Sequence, residues 1–164
     1  MTIAANAAET DALRFLDSLA RVRVSCEQGE GHVSVLELTA PRGSMPPLHV
    51  HDEDETFYVL EGRATFYKGE DVVRLAAGDS LLAPSHVPHT FCAETEGLRM
   101  LVVGGGGFER LVRAVSRHDG NQPTPPASAA TRPWREETAD LVAIAGGHGI
   151  DILGPPGMLP TDLA

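Results

Sequence analysis

Between Val22 and Val103 the apolar residues recur at every second position, in short runs closed by glycine or proline. Val22 and Val24 alternate with Arg21, Arg23 and Ser25, and Val33, Val35, Glu37 and Thr39 alternate with Ser34, Leu36 and Leu38. Then come TFYVL, ATFYK, VVRLA, SLLAP, HTFCA and RMLVV. They are punctuated at Gly29–Glu30–Gly31, Pro41–Arg42–Gly43, Glu61–Gly62, Gly69–Glu70–Asp71 and Gly78–Asp79. A period of two is the period of a strand with one buried face. Many such strands, closely spaced and with no intervening helical pattern, predict an all-β sandwich or barrel.

The flanks change period. Ala12, Leu13, Phe15, Leu16 and Leu19 recur at helical spacing, with Thr10 or Asp11 as cap, which predicts a short N-terminal helix or turn. Phe108, Leu111, Val112 and Val115 fall at i, i+3, i+4 and i+7, so a helix is expected after the last strand. Residues 118–133 are rich in Pro, Ala and polar residues and read as a connector. EETADLVAIAGG follows as a second helix with Gly146–Gly147 as its stop, and the tail GIDILGPPGMLP reads as a short strand or extended arm lying on the barrel or on a partner subunit. A length of 164 residues, 42 % of them apolar, predicts one domain over 1–164, with a barrel core at 21–107 and an extension at 108–164.

A formal net charge of −10 argues against a nucleic-acid partner, which needs a basic surface. The two cysteines, Cys26 and Cys92, are too few for a disulfide scaffold and point to a reducing, cytoplasmic setting. The opening MTIAANAAETDALRF has no basic region followed by an apolar one, so no secretory signal is expected. No stretch reaches the roughly 18 apolar residues of a membrane span, so no membrane partner is expected.

The chemistry is concentrated in PPLHVHDEDETFYVLEG, Pro46 to Gly62. On an extended strand, side chains at i and i+2 point the same way, roughly 6–7 Å apart. His49 and His51 can therefore converge on one ion. If the chain turns tightly at Asp52–Glu53–Asp54, Glu55 opens the next strand on the same face, with Phe57 and Val59 behind it. Fifteen residues separate Gly62 from Gly78, about one hairpin, after which His89 opens a further strand and supplies the fourth ligand. Asp52, Glu53 and Asp54 read as a solvated turn, His86 as a surface-loop histidine, and His32, His118 and His148 as surface or turn residues. Gly104–Gly107 lacks the Gly-Lys-Ser/Thr ending of a phosphate loop, so it reads as a strand end passing into a helix. Cys92 follows Phe91 and should face away from His89.

These segments resemble the two motifs of the cupin superfamily. The first matches at Gly43, His49, His51, Glu55 and Gly62, and the second at Gly78, Pro84 and His89. The second departs at His86 and Ala93, where the family commonly has Gly and Asn. Within the superfamily the chain is most similar to single-domain proteins grouped with quercetin 2,3-dioxygenases, through PPLHVHDEDETFYVLEG, APSHVPHTF, GFERLV and GIDILGPP.

The resemblance implies a small all-β cupin barrel, jelly-roll-like and double-sheeted, with one divalent transition metal per chain, held by His49, His51, Glu55 and His89. Such a nitrogen-rich set suits Fe, Mn, Ni, Co, Cu or Zn and leaves positions open for substrate and for oxygen or water. It implies a dioxygenase acting on a small aromatic or polyphenolic molecule, with Glu55 also accepting a proton from the substrate hydroxyl. Phe57, Val59, Phe91, Met45 and Leu82 would form the apolar wall. A homodimer is expected by the same likeness. Two other functions share the ligand set: a non-redox polyketide cyclase or isomerase, and a non-catalytic binding domain, although members of the latter kind often lack a ligand that this chain keeps.

Overall fold

The computed structural model describes residues 12–28, 30–118 and 134–163. Eleven strands are found there: β1 Leu13–Phe15, β2 Ser18–Val24, β3 Ser34–Ala40, β4 Leu48–His51, β5 Glu55–Glu61, β6 Arg63–Lys68, β7 Asp71–Ala76, β8 Ser80–Ala83, β9 His89–Ala93, β10 Leu98–Gly104 and β11 Ile150–Gly154. Helix α1, Gly107–His118, follows β10, and α2, Trp134–Gly146, precedes β11. The strands form two antiparallel sheets, one in the order β1-β2-β3-β10-β5-β8 and the other β11-β4-β9-β6-β7. The alternation predicts an all-β sandwich or barrel, and the fold is the double-sheeted barrel that the resemblance implies.

Alternation carries the core. Leu36 and Leu38 of β3, Phe57 and Val59 of β5, Phe91 of β9, and Met100 and Val102 of β10 all turn inward and are buried. Phe66, 1 % exposed, packs between Phe57 and Phe91 with ring centroids 4.9 and 5.4 Å away. The outer face of β3 holds a buried charge. Glu37 accepts from Arg23 (Nη2–Oε2 2.7 Å) on β2 and from Arg99 (Nη2–Oε1 2.9 Å) on β10, so one carboxylate clamps three adjacent strands.

The expected N-terminal helix is a β-hairpin. Leu13 pairs with Ala20, Arg14 with Leu19 and Phe15 with Ser18. The run is too short to repay helix nucleation by itself, and its apolar residues also fit a two-residue period. As a hairpin its backbone joins the edge of a sheet, and Phe15 packs edge-on against Phe108 of α1 at 5.3 Å. The caps proposed at Thr10 and Asp11 lie outside the described residues, as does the connector beyond His118. The helix after the last strand forms as expected, and the tail lies on this barrel, where β11 pairs with β4. The sheets thus draw in β1 and β11 from outside 21–107.

Removing the Phe66 ring should leave a cavity between two other rings, so Phe66→Ala is expected to lower stability by about 3–5 kcal/mol in urea unfolding. Glu37 gives a pH signature. Burial alone would raise its carboxyl, but the hydrogen bonds and charges of Arg23 and Arg99 outweigh burial and hold it below the ordinary 4.5. Its contribution is therefore full above pH 4.5 and disappears as pH falls through the lowered folded value. Glu37→Gln should flatten the unfolding midpoint in that acid range and lower stability above it.

Candidate metal centre

The sheet register assembles the site. β4 and β9 are neighbours in the second sheet, and His49 is paired directly with His89. His51 is two residues along the same face of β4. Glu55 opens β5 of the other sheet, opposite Ala83. Three imidazoles on one sheet therefore face one carboxylate on the other. The His89 ring lies 4.5 Å from that of His49 and 4.8 Å from that of His51. One ligand atom from each of His49, His51, Glu55 and His89 falls within 4.8 Å of the rest.

The backbone decides which nitrogen each ring offers. His49 Nδ1 lies 2.8 Å from Pro47 O, His51 Nδ1 2.6 Å from Glu53 O, and His89 Nδ1 2.8 Å from Val87 O. A carbonyl only accepts, so each Nδ1 carries the hydrogen. In the neutral ring Nε2 is then a bare lone pair. The Nε2 atoms of His51 and His89 stand 3.3 and 3.4 Å from Glu55 Oε2. Lone pairs facing a carboxylate oxygen at that distance repel unless a proton or a cation lies among them. The donor set therefore fits a divalent transition ion.

The electrostatics agree. Burial, helped by the charge of His89, pushes the His49 imidazole down to about 4, so it stays neutral as a ligand must. Burial also disfavours charge on His51, but its hydrogen bond and attraction to Glu55 outweigh that and raise it. Burial would raise Glu55 too. The hydrogen bonds from His51 and His89 and their charges overcome it and hold the carboxyl at about 2. A hydrogen bond to Glu55 needs a proton at Nε2 as well as at Nδ1, so without a cation the charged form of His51 is favoured, and a bound divalent ion would take that proton's place.

The acidic turn is not simply solvated. Glu53 is half-buried, and its carboxylate accepts the N–H of Gly106 (3.0 Å) and of Gly107 (3.1 Å), at the start of α1. A helix N-terminus attracts an anion. A Cβ at Gly105 would come 2.6 Å from the Glu53 carboxyl carbon, which explains a glycine there. The glycine run does cradle an anion, but the anion is the chain's own side chain. Because the Glu53 carbonyl holds His51, this one residue ties a ligand to α1. Asp54 accepts Ser85 N at 2.8 Å, and exposed Asp52 lies 3.4 Å from His86 Nδ1. His86 is exposed and outside the cluster. Cys26 is buried, Cys92 is half-buried, and both are free thiols.

The cluster opens on a largely apolar cavity. Phe57 and Phe91 line it as expected. Three other wall assignments need correction. Leu82 alternates outward from β8 and is 48 % exposed, Val59 is sealed in the core at 0 %, and Met45 lies half-buried outside the lining. Their places are taken by Phe15, Phe108, Leu111, Leu141, Ile150 and Ile152. These come from the hairpin, both helices and the tail, whose sequence signals were the apolar spacing from Ala12 to Leu19, in GFERLV and in EETADLVAIAGG, and the apolar GIDIL.

Comparison with known proteins agrees with the geometry. A family model described as a cupin domain matches residues 35–104. Quercetin 2,3-dioxygenase of Bacillus subtilis is 29 % identical over 109 residues, 65 % of this chain and 32 % of that protein. The chain therefore spans about a third of the length of that relative. Among solved structures, a predicted oxalate decarboxylase from Thermotoga maritima superposes with a TM-score of 0.55 at 22 % identity, over 63 % of this chain and 97 % of the other. The polyketide cyclase RemF from Streptomyces resistomycificus gives 0.51 at 19 %, over 63 % and 78 %. Residues 35–104 of this chain thus form a cupin domain. Among the described residues no helix is long and apolar enough to cross a membrane.

Protein supplied with a divalent ion and then dialysed should keep about one ion per chain. His49→Ala and Glu55→Ala should lose it, and Glu53→Ala, which frees the carbonyl that orients His51, should weaken binding by about tenfold or more. Elemental analysis and competition with a chelator measure this, and equal metal in all four proteins would overturn the assignment.

Proposed function

We propose that this protein is a metal-dependent cupin enzyme, a dioxygenase acting on a small aromatic or polyphenolic substrate bound inside the barrel. The observation that carries the reading is the junction of a complete three-histidine, one-glutamate set with an apolar cavity flanked by Phe57 and Phe91. The partial likeness to a quercetin 2,3-dioxygenase supports the same substrate class.

A bound divalent ion would supply Lewis acidity toward a substrate oxygen and, where redox-active, a path for electrons to dioxygen. The residues do the rest. His49, His51 and His89 present neutral Nε2 atoms in fixed directions, since each ring is held at Nδ1. Glu55 lines the cavity as a carboxylate. Its Oε2 faces His51 and His89, while among the described residues no protein donor reaches Oε1. That oxygen is placed to take the proton of a substrate hydroxyl. Phe57 and Phe91 bound the space beside it and keep water from the flat face of a ring.

The test is oxygen consumption with quercetin and related enols, using protein loaded separately with Fe, Mn, Ni, Co, Cu and Zn. Uptake that needs both ion and substrate, and that falls by about a hundredfold or more in Glu55→Ala, is the expected result. Conversion under argon with zinc would replace this reading with the non-redox cyclase or isomerase. No conversion under any condition would overturn both.

A further inference from the structure

The cavity wall has two polar places. One is the metal centre. The other is formed by Asp17, Ser18 and Ser44, all of which line the cavity. Asp17 Oδ1 accepts Ser44 Oγ at 2.7 Å and Ser18 Oγ at 3.1 Å, and the two hydroxyls lie 3.2 Å apart. Ser18 and Ser44 are only 4 % and 3 % exposed. Both serines are committed to one carboxylate oxygen. Among the described residues no protein donor reaches the other oxygen, and no Arg, Lys or His forms an ion pair with it. The second oxygen of this half-buried carboxylate, on the same wall as Phe15 and Phe108, is left able to accept from a donor that enters the cavity.

The backbone that presents Asp17 is itself unusual. Phe15 pairs with Ser18, so Leu16 and Asp17 form a two-residue hairpin loop. Leu16 has φ 56°, the left-handed region, at a place where such loops favour glycine. Strain of this kind persists where surrounding structure demands it. Here it turns both Leu16 and Asp17 to the cavity.

The spacing of the two polar places follows from β9. His49 is paired with His89, while Ala93, four residues further on, donates its N–H to Ser44 O at 2.9 Å. Four residues of strand span roughly 13 Å. A ligand touching both ends is therefore elongated, of the order of a three-ring polyphenol, with apolar walls between.

We propose that Asp17, held by Ser18 and Ser44, is a second recognition point that accepts the hydrogen of a phenolic hydroxyl. The substrate is then a polyphenol with chelating oxygens at one end and a hydroxyl at the other. This rests on the aromatic-substrate reading above. The test is binding by metal-loaded protein with oxygen excluded, followed by calorimetry. Quercetin carries hydroxyls on its outer rings, and 3-hydroxyflavone keeps the chelating oxygens but lacks them. Wild type should bind quercetin about tenfold or more tighter than 3-hydroxyflavone. Asp17→Ala should erase that preference by weakening quercetin alone, with metal content unchanged. Asp17→Asn, which keeps an oxygen for the two serines, serves where the alanine variant does not fold, and should reduce the preference. A preference that survives both substitutions, or equal binding of the two flavonols by wild type, overturns this inference alone. Binding of neither flavonol to wild type overturns it together with the aromatic-substrate reading.

Discussion

Three hydrogen bonds, from ring Nδ1 to the carbonyls of Pro47, Glu53 and Val87, fix the character of this protein. Each bond spans only two residues, so it is set by local backbone and survives modest movement elsewhere. Each also removes a choice. A neutral imidazole that donates at Nδ1 can only offer a lone pair at Nε2, and the Nε2 atoms of His51 and His89 both face one carboxylate oxygen, with a ligand atom of His49 in the same cluster. An arrangement of acceptors facing acceptors has no favourable resolution within the protein itself. It is resolved by a cation or, in its absence, by the proton that the raised His51 would hold. The rest of the barrel can be read as the means of keeping these groups opposed, with three ligands on one sheet and Glu55 on the other.

Glu53 shows how that geometry is tied to the periphery. Its carbonyl orients His51, while its carboxylate sits on the first amides of α1. α1 in turn carries Phe108 and Leu111 on the cavity wall, and Phe108 meets Phe15 of the hairpin. Metal ligand, turn, helix and hairpin therefore form one mechanical chain. Buried Glu109 extends it, since it accepts Ser25 Oγ and Cys26 N just beyond β2. The helix is thereby fixed at its start and along one side, which gives the cavity a defined ceiling.

The ligands were legible in the sequence because each rests on a short-range rule. The i, i+2 relation of His49 and His51 needs only an extended strand, and Glu55 needs only a tight turn. What the sequence could not show depends on packing between distant segments. Leu82 and Val59 have the composition of a cavity wall, yet alternation sends one outward and depth seals the other in the core. Leu13 to Leu19 fits both helical and strand periods, and only the neighbouring edge of β3, through β2, selects the strand. Glu53 looked like one of three solvated acids because its partner, the amides of Gly106 and Gly107, lies more than fifty residues away.

The division of labour within the cavity follows from the same distinction. The metal end is built from β4, β5 and β9, the strands that carry the two cupin motifs. It is generic, since a three-histidine, one-carboxylate centre accepts many ions and serves several reactions. Much of the remaining wall comes from segments outside those motifs: the β1–β2 turn, α1, α2 and β11. These parts contribute none of the four clustered residues, although α1 is tied to His51 through Glu53 and β11 pairs with β4. Under the proposed function, these parts shape the end of the cavity away from the candidate metal centre, and Asp17 is a charged side chain on that part of the wall. A strained Leu16 and two buried serines hold it in place, which is more structure than a surface turn requires.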